Sequence, residues 1–291
     1  KHVKVLVLGS GPTGYAAALY AARAELKPVV LTGMQLGGQA ALTYTIENYP
    51  GFPQGIPGAQ LVTLFEKQVY QNDGDVILDE VTGLDYDGDQ FLVQARSNTY
   101  LASYVVVATG TRPRPIPIEV PQQLRNSVFN EVWPLRNARG KQIVIVGAGD
   151  AAFDYALNLA NRENTVLILN RGAELSCLPL LWERARLMPA ITYSHDTTLQ
   201  QIEPEPSSDR LQLITNHYSL ITDYLLFAIG REPAMDFLTE SVKMQGQRLI
   251  EDGKLYFVGD VHNGLHRQTA IAAGEGLRAA MQIYAKVRND L

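Results

Sequence analysis

A glycine-rich turn set between a buried strand and an alanine-rich helix occurs twice in this chain, and the repetition limits its fold more than any other feature. The first copy spans Lys4 to Ala24, KVLVLGSGPTGYAAALYAARA. Val5 to Leu8 form an apolar run without alternation, as in a strand covered on both faces. Gly9, Gly11 and Gly14 follow as G-x-G-x-x-G. The first glycine allows a tight turn, the second lets the backbone approach a pyrophosphate, and the third lets helix and strand pack closely. An anion is favoured at the helix N-terminus, where N–H groups lack intrahelical partners. Pro12 fits the first turn because it has no N–H to leave unsatisfied, and Thr13 belongs to the same loop.

The second copy runs from Lys141 to Arg162. Ile143 to Val146 is its strand, Gly147-x-Gly149-x-x-Ala152 its turn, with Asp150 and Ala151 inside the loop, and Phe153 to Ala160 its helix. Gly9 to Thr32 and Gly147 to Asn170, each reaching the end of the next strand, are both 23 residues apart. The prediction is an α/β fold with two Rossmann-like nucleotide-binding domains. A length of 291 residues and a hydrophobic fraction of 46% are ample for two cores.

Neither unit ends its second strand in the acid that binds an adenosine ribose about 20 residues beyond the glycines. The first ends in Thr32-Gly33, the second in Asn170-Arg171. Arg171 suits a ribose 2′-phosphate, or is a solvated surface charge. The second unit therefore holds a nicotinamide nucleotide, or is a scaffold that holds none.

Further strands are expected at Pro28–Thr32, Val76–Leu78, Phe91–Ala95 and Tyr104–Ala108, with a turn over DYDGDQ before Phe91. Helical spacing of Leu61, Leu64, Phe65 and Val69 predicts a helix over Gly58–Asn72. Thr109 and Gly110 follow a buried strand and leave room for a cofactor. Residues 111–121 hold Pro113, Pro115, Pro117 and Pro121, which rules out a central strand and marks a domain crossing. Arg112 and Arg114 read as solvated linker charges. Gly230 mirrors Gly110 and marks the return, giving domains of 1–115, 116–232 and 233–291. Part of Ala173–Pro189 is helical, and strands are expected at Leu199–Ile202, Leu211–Thr215, Tyr224–Ala228 and Leu255–Val258. Gly259 and Asp260 then lead to a helix beginning near Gln268 or Thr269.

The net charge, 25 minus 30 or −5, and the lack of a basic stripe argue against nucleic acid as a partner. No apolar run reaches the length of a membrane span and the N-terminus lacks a signal-peptide pattern, so a cytoplasmic location is expected. His195 and His217 have no metal-ligand companions. The one cysteine, Cys177, reads as a small buried hydrophobe and excludes an intramolecular disulfide.

GSGPTGYAAALYAARA, TGMQLGGQ, ENYPGFP, ATG, GAGDAAFDYAL, AIGREP, VGD and RQTAIAAGEG, in this order along nearly the whole chain, resemble the low-molecular-weight thioredoxin reductase family. The resemblance implies an FAD domain made from both chain ends, with a nicotinamide-nucleotide domain inserted. It assigns Gly9, Gly11 and Gly14 to the FAD pyrophosphate, and Gly38 and Gln39 to the isoalloxazine with Asn48 nearby. Asp260 goes to the ribityl–phosphate part, and Arg267, Gln268, Thr269 and Ala270 to the flavin edge. Gly147, Gly149 and Ala152 match the NADPH loop. Family members are usually homodimers.

The chain departs from that family in its chemistry. Those reductases carry a C-x-x-C pair before the second glycine motif, where this chain reads SVFNEVWPL, Ser127 to Leu135. One cysteine cannot carry the thiol–disulfide exchange of that route. The HRR cluster of NADPH-using relatives is reduced here to NRG. The second motif also resembles ferredoxin–NADP reductases of thioredoxin-reductase type. The expected function is an FAD-dependent oxidoreductase moving electrons between NADPH or NADH and an acceptor not identified. The alternatives are a flavoprotein served by a redox protein such as ferredoxin, and a flavin-binding sensor or interaction module.

Overall fold

The first strand, β1 (His2–Leu8), sends Val5 and Val7 into one apolar cluster and Leu6 and Leu8 into another. Both faces of its sheet are covered, which explains a hydrophobic run without alternation. The computed structural model describes residues 1–33 and 35–289; Met34, inside the TGMQLGGQ stretch, lies outside the described residues. The chain forms two units. One comprises Lys1–Arg112 and the chain from Pro233 onward, the other Pro113–Glu232.

In chain order the first unit begins β1, α1 (Pro12–Arg23), β2 (Val29–Thr32), α2 (Gly38–Leu42), α3 (Gly58–Tyr70) and β3 (Asp75–Leu78). It continues as β4 (Val81–Tyr86), β5 (Phe91–Ala95) and β6 (Thr99–Val107), and the short strand β7 (Thr111–Pro113) follows at the crossing. The second unit holds β8 (Val128–Phe129), β9 (Gln142–Val146), α4 (Asp150–Ala160), β10 (Thr165–Leu169), α5 (Pro179–Arg186) and β11 (Ile191–Ser194). It then runs through β12 (Leu199–Pro204), β13 (Leu211–Thr215), β14 (Ser219–Thr222) and β15 (Tyr224–Phe227). The return strand β16 (Arg231–Pro233) precedes α6 (Glu240–Glu251), β17 (Leu255–Phe257) and α7 (Thr269–Asn289).

The seven-stranded sheet of the first unit has the order β3-β2-β1-β6-β5-β4, with β17 also paired to β6. β6 divides its partners along its length. Tyr100 to Ala102 face β5 antiparallel, while Val105 to Val107 take β17 in parallel. One face of β1 packs with α1, α3 and α7, the other with α6 and with side chains of β4 and β5, the far strands of the same sheet. The second unit has a five-stranded parallel sheet, β11-β10-β9-β15-β8, and a three-stranded antiparallel one, β12-β13-β14. Both glycine turns are built alike. A Cβ on Gly9 would meet the Ala108 carbonyl oxygen at 2.4 Å, and one on Gly147 would meet that of Ala228 at 2.2 Å.

Several elements differ from expectation. β4 extends through Tyr86, and the turn predicted over DYDGDQ begins only at Asp87, whose carboxylate accepts the N–H groups of Asp89 and Gln90 at 2.9 Å each. β6 starts five residues earlier than Tyr104 because it spans two neighbouring strands. α2, β4, β7, β8, β11, β14, β16 and α6 were not foreseen. In α6 only Val242 and Leu249 are buried while Met244 is 80% exposed, so its apolar spacing is faint. Arg112, read as a solvated charge, is paired with Asp236.

Candidate functional site

In the first unit, the ends of β1, β2 and β6 open on a cleft of about 580 Å³. That is within the size range of small-molecule sites. The strand ends are the natural place for it, since ligands of open α/β sheets bind outside the carboxyl ends of the strands. Gly9, Gly11, Pro12 and Thr13 line it from the first turn, Gly38 and Gln39 from α2, and Thr109 and Gly110 from beyond β6. Asp260, Arg267 and Thr269 line it from the other chain end.

The remaining residues expected here act from behind the surface or at its margin. Gly14 is buried, and a Cβ there would fall 1.8 Å from the Gly9 carbonyl oxygen, so it permits the turn. Gly259 is buried below Asp260, and its N–H donates to Glu275 Oε2 at 2.7 Å. Asn263 Nδ2 donates to the same oxygen at 2.9 Å, so one carboxylate on α7 fixes the turn that carries Asp260. Asn48 Nδ2 donates to Gln268 Oε1 at 2.7 Å, joining residues 220 positions apart. Ala270 is exposed on the first turn of α7.

Sequence reasoning missed several lining residues, notably Ser10, Thr32, Gln35, Glu80, Val81 and Phe237. The Ser10 and Thr32 hydroxyls are 2.8 Å apart; Thr32 Oγ1 donates to the Gln35 carbonyl at 3.3 Å and Ser10 Oγ accepts the Gly37 N–H at 3.1 Å. A hydroxyl at a strand end was the only available signal for these. Val81 opens β4 and Glu80 precedes it in the corner after β3, a stretch that left no clear pattern.

In the second unit, Gly147, Gly149 and Asp150 form the turn and the start of α4, with Ala152 buried behind them and Ala151 exposed. Asp150 Oδ1 accepts the Leu178 N–H at 2.7 Å and Ser176 Oγ donates to the Ala148 carbonyl at 3.0 Å. Asn170 is 8% exposed; its Nδ2 donates to the Glu174 carbonyl and to Tyr193 Oη, both at 2.8 Å, and its Oδ1 accepts the Gly172 N–H at 3.2 Å. That amide ties its own loop together, and Arg171 beside it is exposed at the end of β10. The Cys177 thiol is pushed up, first by burial and then by Asp150.

Residues 3–276 match the family model described as pyridine nucleotide-disulphide oxidoreductase. The chain belongs to this family. It is 30% identical to a thioredoxin reductase of Mycolicibacterium smegmatis, over 95% of this chain and 94% of that one. It is 31% identical to a thioredoxin reductase of Rickettsia felis, over 96% of each. Among solved structures, Lactococcus lactis thioredoxin reductase superposes with a TM-score of 0.88 at 25% identity, covering 99% of both chains. Family and fold make this a flavin-binding oxidoreductase of the FAD- and NAD(P)H-using kind. With one cysteine in 291 residues, it lacks the redox-active pair.

The cleft fits an adenine dinucleotide on a local test. Gly11 has φ −69°, a value open to any residue, and no atom lies within 4 Å of a Cβ added there. The turn itself therefore does not require glycine at 11, and the open space beside it leaves room for a ligand to come close to its backbone.

Proposed function

We propose that this chain is an FAD-dependent oxidoreductase that exchanges electrons with NAD(P)H and serves an acceptor without a dithiol relay of its own. One observation carries the reading. The family fold is complete around the cleft, whereas Ser127–Leu135 contains no cysteine and Cys177 stands alone. A single thiol cannot close the intramolecular disulfide that thiol–disulfide relay requires.

When bound, FAD supplies the electron chemistry, which no side chain here can supply. The chain's part is holding and orientation. Gly11 and Thr13 would present backbone N–H groups and the positive end of α1 to the pyrophosphate, with Pro12 in the first turn of α1 and Gly9, whose own N–H is bonded to the Leu31 carbonyl, shaping the turn. Asp260, held in place by Glu275 through Gly259, would accept hydroxyl hydrogen bonds along the ribityl chain. Gly38 and Gln39 would lie against the ring system, with the Asn48–Gln268 pair at its margin and Thr109, Gly110, Arg267, Thr269 and Ala270 completing the surround. In the second unit, Gly147, Gly149, Asp150, Ala151 and Ala152 would receive the nicotinamide nucleotide and Arg171 its 2′-phosphate.

Anaerobic mixing of the FAD-loaded protein with NADPH, and separately with NADH, tests the reading. Loss of oxidised-flavin absorbance within seconds is expected with at least one of them. An unchanged spectrum with both over minutes overturns it. If Arg171 meets the phosphate, Arg171→Ala raises the KM for NADPH about tenfold or more and leaves that for NADH unchanged, the size expected of one lost charge-assisted bond.

A second reading is favoured by the loop after β10, where Asn170 is committed internally and Arg171 is what remains of a basic cluster. There the electron donor is a protein such as ferredoxin. Flavin reduction by reduced ferredoxin, with both nicotinamide nucleotides inert, would select it. The proposal includes a homodimer, for which sedimentation velocity gives a direct answer.

A further inference from the structure

We infer that Glu80 is the specificity-determining residue for the adenosine end of the first unit's nucleotide, standing in for the acid that β2 lacks. The inference rests on the reading of the cleft as an FAD site.

A carboxylate at the end of the second strand of such a unit takes the ribose hydroxyls of an adenine dinucleotide. β2 ends instead in Thr32, whose hydroxyl is bonded to Ser10 and Gln35, and then Gly33, which has no side chain. The space that a side chain at 33 would enter is bordered by another residue. A Cβ placed on Gly33 would have one near neighbour, Glu80 Cγ, at 3.8 Å. Glu80 and Gly33 both line the cleft. The acid missing from one strand end is thus delivered from the corner between β3 and β4, beside the same point.

That corner is held rigidly. The Asp79 N–H donates to the Thr32 carbonyl at 2.9 Å, stitching the corner to the end of β2. The buried Asp79 carboxylate accepts Ser97 N–H at 2.8 Å, Asn98 Nδ2 at 3.0 Å and Tyr100 Oη at 3.4 Å. The Arg96 N–H donates to the Glu80 carbonyl at 2.9 Å, and Arg96 Nη2 meets Glu80 Oε2 at 2.8 Å. Arg96 therefore orients the carboxylate through Oε2, with Oε1 the oxygen assigned to a ribose hydroxyl. A carboxylate here accepts a free 2′-hydroxyl and repels a 2′-phosphate, so the first unit selects FAD against a phosphorylated adenine dinucleotide.

The test uses protein stripped of flavin, with FAD affinity read from flavin fluorescence and with ADP and 2′-deoxy-ADP as competitors of FAD uptake. For the unsubstituted protein, ADP should compete about ten-fold or more better than 2′-deoxy-ADP, the size expected of a hydrogen bond to a charged group. Glu80→Ala should weaken FAD binding by a similar factor and abolish the difference between the competitors. Glu80→Gln should bind FAD with intermediate affinity and admit 2′-phospho-ADP, which the unsubstituted protein refuses. Because the Glu80 side chain is 46% exposed, neither substitution opens a core. Unchanged FAD affinity in Glu80→Ala, or a difference between ADP and 2′-deoxy-ADP that survives it, overturns the assignment while leaving the flavin site standing. Unsubstituted protein that takes up no FAD overturns both.

Discussion

At the scale of single residues, Gly11 and Gly14 separate what the ligand needs from what the fold needs. Gly11→Ala meets no atom within 4 Å and should leave the stability of the flavin-free protein within about 0.5 kcal/mol of its original value, while FAD affinity falls at least about ten-fold. Gly14→Ala would place its Cβ 1.8 Å from the Gly9 carbonyl oxygen and should cost stability even without flavin. Urea denaturation of both flavin-free variants, alongside FAD titration, checks the pair. Asp79 offers a pH-dependent counterpart. Burial pushes its carboxyl up, but the hydrogen bonds from Asn98, Ser97 and Tyr100 together outweigh that and hold it below the ordinary carboxylate range. A lowered folded-state value means stability that is fully present above about pH 4 and is lost as pH falls through the folded value. Asp79→Asn should cost about 1–3 kcal/mol at pH 7 and flatten the acid limb of the stability profile. For Cys177 the raised thiol means less thiolate at neutral pH, so alkylation by iodoacetamide at pH 7 should be slower than for a free cysteine and should climb with pH beyond the ordinary thiol range. The glycines were readable because each meets a local demand of one turn. Glu80 was not, because nothing near it in sequence says that Gly33 lies beside it.

Among elements, the contact that positions the cleft is that of α1 with α7. Ala17, Ala18 and Ala21 of α1 and Ala279, Ala280 and Ile283 of α7 share one apolar cluster. Their approach is close enough that a Cβ on Gly276 would fall 2.1 Å from the Thr13 carbonyl oxygen and 3.0 Å from the Ala17 nitrogen. Gly276→Ala should therefore destabilise the protein by about 1–3 kcal/mol, the usual cost of overpacking. It should also weaken FAD binding, since Thr13 belongs to the turn at the cleft; parallel urea denaturation and FAD titration measure both. Elements with dense apolar patterning, β1, α1, β9 and α7, announce themselves in the sequence. α6 does not, because its buried side chains, Val242 and Leu249, are seven residues apart with polar turns between. β4 hides because only Leu84 and Tyr86 are buried on it, and Gly83 and Asp85 read as turn formers.

For the molecule as a whole, each of the four apolar clusters lies within one unit, two in the first and two in the second. Calorimetry should accordingly resolve two unfolding transitions. FAD should raise only the one belonging to the first unit, by about 2.7 kcal/mol at a free concentration of about a hundred times its Kd. A single transition, or one in which FAD moves both together, would show that the units unfold as one body. The sequence alone determined that there are two Rossmann-like units, where the glycine turns stand, and that no cysteine pair exists, because these depend on local backbone demands and on residue identity. Tertiary structure alone decided that Glu80 borders the gap at Gly33, that Asn48 meets Gln268, and that Glu275 holds the turn beneath Asp260. Those contacts join residues distant in sequence, and they follow from how strands and helices pack against one another, which no local pattern encodes.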